Sequence, residues 1–223
     1  MANQPYVIAR PAESLLATNK LLRNTYLLLS MTLVFSAVTA GISIATNMPF
    51  MGALVTLGGY FGLLFLTTRL RNSVWGLLSI FALTGFMGLT LGPMINAYLH
   101  SFANGGQLVM LAMGGTGAIF LGLSGYALTT RKDFSFLGGY VFMGILVAFL
   151  AGIGALIFNL PALSLAVSTV FIMLMSAFIL YQTSAMIHGG ETNYIMATIS
   201  LYVSIYNLFT SLLHLLGAFA GED

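Results

Sequence analysis

Seven apolar runs of about 20 residues or more follow one another along this chain, and almost no charge interrupts them. They lie at about 25–46, 50–68, 73–99, 107–128, 135–158, 162–186 and 195–219. A helix rises ~1.5 Å per residue, so each run can cross a hydrocarbon core about 30 Å thick. A β-barrel would instead show alternating segments of about ten residues. The breaks carry turn chemistry: Asn47-Met48-Pro49, Arg69-Leu70-Arg71-Asn72, Asn104-Gly105-Gly106, Arg131-Lys132-Asp133, Asn159-Leu160-Pro161 and His188-Gly189-Gly190-Glu191. The first 24 residues are mixed, with Arg10, Glu13, Lys20 and Arg23 around a leucine-bearing stretch from Ser14 to Leu22. The run after them lacks a small-residue cleavage site, so it reads as a first membrane span and not as a signal peptide.

Charge supports this reading. Only 5% of the 223 residues are charged, where a soluble domain carries about 25%. That excludes a soluble enzyme, a disordered chain and a nucleic-acid binder. With no cysteine there is no disulfide, thiolate metal site or cysteine nucleophile. The expected fold class is an all-α integral membrane protein of seven transmembrane helices.

The seven Lys and Arg residues set an orientation. Arg10, Lys20 and Arg23 precede the first run, Arg69 and Arg71 lie in the second loop, and Arg131 and Lys132 in the fourth. The odd-numbered loops and the C-terminus have none. All seven basic residues therefore share one side, which the positive-inside rule makes the cytoplasm. The expected organisation is a cytoplasmic tail at 1–24, a bundle at 25–219 and a short periplasmic C-terminus at 220–223, with Glu222 and Asp223 outside. The likeness of Leu66-Thr67-Thr68-Arg69 to Leu128-Thr129-Thr130-Arg131 reflects cations placed at helix C-termini and at the inner leaflet, and no duplication is read from it.

Four small-residue runs are expected to pack within the bundle: Gly58 and Gly62; Gly88 and Gly92; Gly114, Ala118 and Gly122; and Gly144, Ala148 and Gly152. Gly92-Pro93 predicts a kink in the third helix, because Pro93 removes one backbone hydrogen bond. The carbonyl so freed needs a partner inside the bundle. On the seventh run, Ser200, Ser204, Asn207, Ser211 and His214 are spaced 4, 3, 4 and 3, with Tyr202 and Tyr206 beside them. Lipid penalises such a stripe, so the seventh helix is expected at the centre. Thr169, Ser176 and Thr183 of the sixth run are candidates to face it. Two readings fit the stripe: a hydrogen-bonded helix contact, or a hydrated cavity.

Catalytic and metal chemistry are sparse. Between the tails the only carboxylates are Asp133 and Glu191, both in loops. His188 and Glu191 are three apart but separated by two glycines, which is poor metal-ligand spacing. Gly122-Leu123-Ser124-Gly125 and His214-Leu215-Leu216-Gly217 resemble elements of rhomboid proteases, yet Ser124 and His214 fall near opposite ends of their helices, about 20 Å apart along the membrane normal. No catalytic residue, metal site or cofactor is expected.

Three stretches carry a resemblance to a known family. Ile179-Leu180-Tyr181-Gln182-Thr183-Ser184, and Leu201-Tyr202-Val203-Ser204-Ile205-Tyr206-Asn207-Leu208-Phe209, are similar to the C-terminal signature of the Bax inhibitor motif family. Gly85-Phe86-Met87-Gly88 through Leu91-Gly92-Pro93 resembles its third-helix motif. Arg23-Asn24-Thr25-Tyr26, the segment 128–133 and the segment 187–195 resemble the bacterial branch that modulates the FtsH membrane protease. The resemblance implies seven helices, the last surrounded by the other six. It implies an inner-membrane protein whose partners are membrane lipids and the FtsH protease complex, with no nucleic acid. It also implies, as the alternative, a calcium or proton leak gated by two aspartates. Here those two positions are Gln182 and Ser204, so no carboxylate remains inside the membrane to titrate or to attract calcium.

Overall fold

The computed structural model describes residues 15–221; the tail before Leu15, and Glu222 and Asp223, lie outside the described residues. Seven helices follow in order: α1 (Leu15–Ala45), α2 (Ala53–Leu70), α3 (Val74–Ser101), α4 (Gly105–Thr130), α5 (Leu137–Ile157), α6 (Pro161–Ile187) and α7 (Tyr194–Ala220). All seven are long and apolar enough to cross a membrane. Large apolar side chains such as Leu54, Phe65, Trp75 and Phe142 lie exposed around the bundle. In water such a surface would aggregate; in lipid it is the solvated face.

Helices α2 to α7 match the apolar runs to within about three residues, as expected where turn residues and apolar periodicity agree. The difference is α1, which begins ten residues before its apolar run. Its first turns are amphipathic: Leu21 and Leu22 pack on the core while Lys20 and Arg23 stay exposed. Hydropathy marks where lipid begins, not where the helix does. Asn47 and Asn159 close α1 and α5 with φ of 47° and 50°, a left-handed turn that asparagine tolerates.

α7 packs against α1, α3, α4 and α6, while α2 and α5 join the bundle mainly through α3 and α6. Ala197, Thr198 and Ile199 are consecutive and all buried. At 100° per residue, no helix with a broad lipid face can do that. The seventh helix is thus central, but the inner ring is four helices and not six. α2 and α5 stand outside that ring.

The small-residue runs divide. Along α3, Gly85 faces Phe35, Gly88 faces Ser36 and Thr39, and Gly92 faces Ser43, so α1 and α3 lie in close backbone contact. Gly144 and Gly152 of α5 rest on Leu174 and Val167 of α6. The other two expectations fail. Gly58 and Gly62, and Gly114 and Gly122, have nothing within 4 Å of a would-be Cβ, and they face outward with Ala118. On α2 the close contact is instead Gly59 against the Phe86 ring. Spacing alone identifies a smooth face but not what lies against it.

Candidate functional site

The end of the bundle that carries Arg69, Arg71, Arg131 and Lys132 is stapled shut by side chains. The Asn193 Oδ1 caps α7 by accepting from the backbone N–H of Ile195 and Met196, at 3.0 and 3.1 Å. Its amide donates across to the Arg71 carbonyl and to Asn72 Oδ1, so one residue ties the α2–α3 and α6–α7 loops. Ser184 Oγ accepts from the Phe134 N–H at 2.9 Å and donates to the Lys132 carbonyl at 3.3 Å, which lays the α4–α5 loop over α6. Beneath it, the five consecutive residues Gln182 to Met186 are all buried. Both loop carboxylates are engaged locally. Asp133 accepts from the Ser135 hydroxyl and N–H, which hold its carboxyl below the usual range. Glu191 accepts from the N–H groups of Thr192 and Asn193. His188 Nδ1 faces the Ser184 carbonyl.

The polar stripe of α7 lies inside the bundle, but it does not bond as a helix–helix seam. Ser204 donates to the Ser200 carbonyl and Asn207 to the Val203 carbonyl, both on their own helix. Only His214 reaches across, its Nδ1 2.8 Å from Ser168 Oγ on α6. Of the α6 residues expected to face it, Thr183 is buried, and the other two are corrected. Thr169 is exposed and bonds Leu165 on its own helix, as Ser176 bonds Ile172. The α6 face that is buried runs through Ser168, Met175, Ile179, Gln182 and Thr183.

Gln182 and Ser204, the two positions that the resemblance matches to an aspartate pair, are both buried, and the Gln182 amide nitrogen has no partner among the described residues. Thr183 and Ser124 also keep unpaired hydroxyls. Ser124 and His214 lie near opposite ends of the antiparallel α4 and α7, so they form no dyad.

The cross-helix bonds at the bundle centre involve residues that pattern reading passed over. The inward face of α1 carries Thr25, Thr32, Ser36 and Ser43, all 5% exposed or less. Ser36 and the Tyr202 hydroxyl are 2.6 Å apart, and Tyr202 also donates to the Thr84 carbonyl. The Thr198 hydroxyl reaches the Thr25 carbonyl at 3.3 Å, and Tyr206 and Thr90 are 3.1 Å apart. Ser43 Oγ donates to the Leu89 carbonyl at 2.9 Å. Leu89 is four residues before Pro93, so this is the acceptor that the proline leaves without its helical donor. The spacing of Thr25, Thr32, Ser36 and Ser43, at 7, 4 and 7, is the signal that would have found this face.

Comparison with known proteins gives a consistent picture. Residues 18–221 match the family described as inhibitor of apoptosis-promoting Bax1. The chain is 53% identical over 94% of both lengths to an Escherichia coli protein named modulator of FtsH protease YccA. It is equally similar to inner membrane protein YccA of a second Escherichia coli strain. An uncharacterized Pseudomonas aeruginosa protein is 52% identical across the whole of both chains.

Proposed function

The chain belongs to the Bax inhibitor family, and we propose that it is a multi-pass inner-membrane protein that binds the FtsH protease complex and restrains its action on membrane substrates. The observation that carries this reading is the 53% identity, over nearly the full length, to a protein named as a modulator of that protease.

The bundle supports a physical account of restraint. A protease that extracts a membrane protein from its N-terminus loads α1 first. α1 is tied to α3 by the glycine face and by Ser43, and to α7 by Ser36 and Thr198. Its departure would strand several of these groups without partners in a dry interior, each at a cost of about 1–3 kcal/mol. A first helix that resists removal would occupy the protease without being consumed quickly. Removing residues 2–14 leaves α1, Lys20 and Arg23 in place. In cells containing FtsH this deletion is expected to lengthen the protein's lifetime and to reduce its co-purification with the protease from native membranes. An unchanged half-life with undiminished co-purification would count against the tail as the handle.

The proposed orientation places the basic end in the cytoplasm and the C-terminus in the periplasm. A C-terminal alkaline phosphatase fusion should be active and a C-terminal fluorescent protein dark; the reverse pattern contradicts it. The leak reading gains nothing from the two marker positions, since neither Gln182 nor Ser204 can titrate as a carboxylate or supply calcium a charged oxygen. Calcium flux in liposomes separates the two readings, and little flux is expected.

A further inference from the structure

Between α2 and α5, midway along the bundle, is a cavity of 490 Å³ backed by α3, α6 and α7. Its mouth opens sideways. Phe61 and Phe149 meet edge to face across it, with ring centroids 6.1 Å apart. Phe142, Leu146 and Phe61 on the rim are 70%, 45% and 48% exposed on the apolar outer surface. A second hollow of 300 Å³ shares Thr56, Leu57, Phe149 and Phe171 with it and extends towards Phe50 and Leu156, away from the basic end.

The walls are apolar and aromatic, but Thr56 Oγ1 among them is buried without a hydrogen-bond partner among the described residues. Tyr60, one turn along α2, and Asn207 on α7, whose amide is spent on Val203, bring a hydroxyl and a carbonyl oxygen to the same lining. Thr90 and Tyr206, which bond each other, lie beside them. No charged residue lines either hollow.

We propose that this cavity binds a neutral, lipid-soluble molecule with a hydrogen-bonding ring head and an apolar tail, of the quinone or quinol class, which enters from the bilayer between α2 and α5. Four observations select that chemistry. The absence of charge in the lining disfavours a carboxylate or phosphate, which would be buried unpaired. Depth disfavours a phospholipid head: Asn207 is thirteen residues into α7, about 20 Å from its start, near the middle of the hydrocarbon. A bare acyl chain would fit the walls but leave Tyr60 and Asn207 unsatisfied, and that costs free energy in a site without bulk water. Aromatic walls suit a flat ring, which stacks or packs edge-on. The cavity is of the size that holds a small organic ligand, and the adjoining hollow gives the tail a path along the leaflet opposite the basic end. A quinone carbonyl accepts from the Tyr60 hydroxyl, and a quinol hydroxyl, which can also accept from Tyr60, donates to Asn207 Oδ1. The site stands apart from the basic end and from the contacts invoked for the protease.

The test uses the full chain in phosphatidylcholine nanodiscs, titrated with decylubiquinone carrying a diazirine in its tail. Labelled peptides are read by mass spectrometry. Saturable labelling of α2 and α5 peptides is expected, competed by unlabelled decylubiquinone and decylubiquinol but not by dioctanoylglycerol. Tyr60→Phe should weaken decylubiquinone binding by about tenfold, and Asn207→Leu should weaken competition by decylubiquinol by about tenfold, each the effect of one lost hydrogen bond. Tyr60→Phe keeps the ring and its packing, so it reads the hydroxyl even if Asn207→Leu folds poorly. Labelling that rises linearly with concentration and is equal in wild type and Tyr60→Phe would overturn the proposal. So would equal competition by dioctanoylglycerol.

Discussion

Ser43→Ala is expected to lower the thermal stability of the detergent-solubilised protein by about 1–2 kcal/mol, more than a lost hydrogen bond between membrane helices usually costs. The common value is about 0.6 kcal/mol, because a freed group often finds another partner. Here it has none in its own helix. Ser43 supplies the hydrogen bond that Pro93 denies to the Leu89 carbonyl. Ser43 itself is buried against Gly92, so removing its hydroxyl strands that carbonyl away from water. In a Pro93→Ala background, residue 93 regains an N–H and Leu89 its helical donor, so Ser43→Ala should cost much less. A coupling of about 1 kcal/mol between the two sites is expected. If the two changes add, Ser43 is not the proline's compensation.

The second large effect separates two kinds of glycine. A Cβ at Gly88 would meet the Ser36 carbonyl and the Thr39 hydroxyl at once. A backbone atom cannot rotate aside, so Gly88→Ala must push α1 from α3. The expected cost is about 2–3 kcal/mol, as for overpacking a tight core. At Gly122 the would-be Cβ meets nothing within 4 Å. Gly122→Ala should therefore leave stability unchanged or raise it by up to about 1 kcal/mol, through helix propensity. Melting temperatures measured side by side decide this. Equal losses would mean that the two glycines differ less than their surroundings do. Because α1 is the helix a protease would draw out first, Gly88→Ala should also shorten the protein's lifetime in cells containing FtsH.

These two pairs show what could and could not be read from residues alone. The seven helices were legible because length, apolar content and turn residues all point the same way, and lipid forbids most alternatives. The central place of α7 was legible because a polar stripe cannot face hydrocarbon. Its neighbours were not: a period of 3.6 says that Ser204 and Asn207 share a face, but not which helix meets it. The same blindness let Gly114, Ala118 and Gly122 read as a packing run when they face outward. Hydroxyls were undervalued for a different reason. A serine on an apolar helix can bond its own preceding turn, as Ser176 does, or a neighbouring helix, as Ser36 and Ser43 do. Sequence does not distinguish the two. The need for a donor at Leu89 followed from Pro93, but its identity came only from the close approach that Gly88 and Gly92 permit. The lateral cavity had no sequence signal, because its lining comes from five helices.

Restraint of a membrane protease is measurable in reconstituted vesicles. FtsH and a membrane substrate with a cytoplasmic tail are placed in the same vesicles, with and without this protein, and substrate loss is followed over time with ATP present. Slower degradation is expected as the protein is added, with less slowing when residues 2–14 are removed. Degradation at the same rate at every ratio of protein to protease, in vesicles where its insertion has been verified, would contradict it.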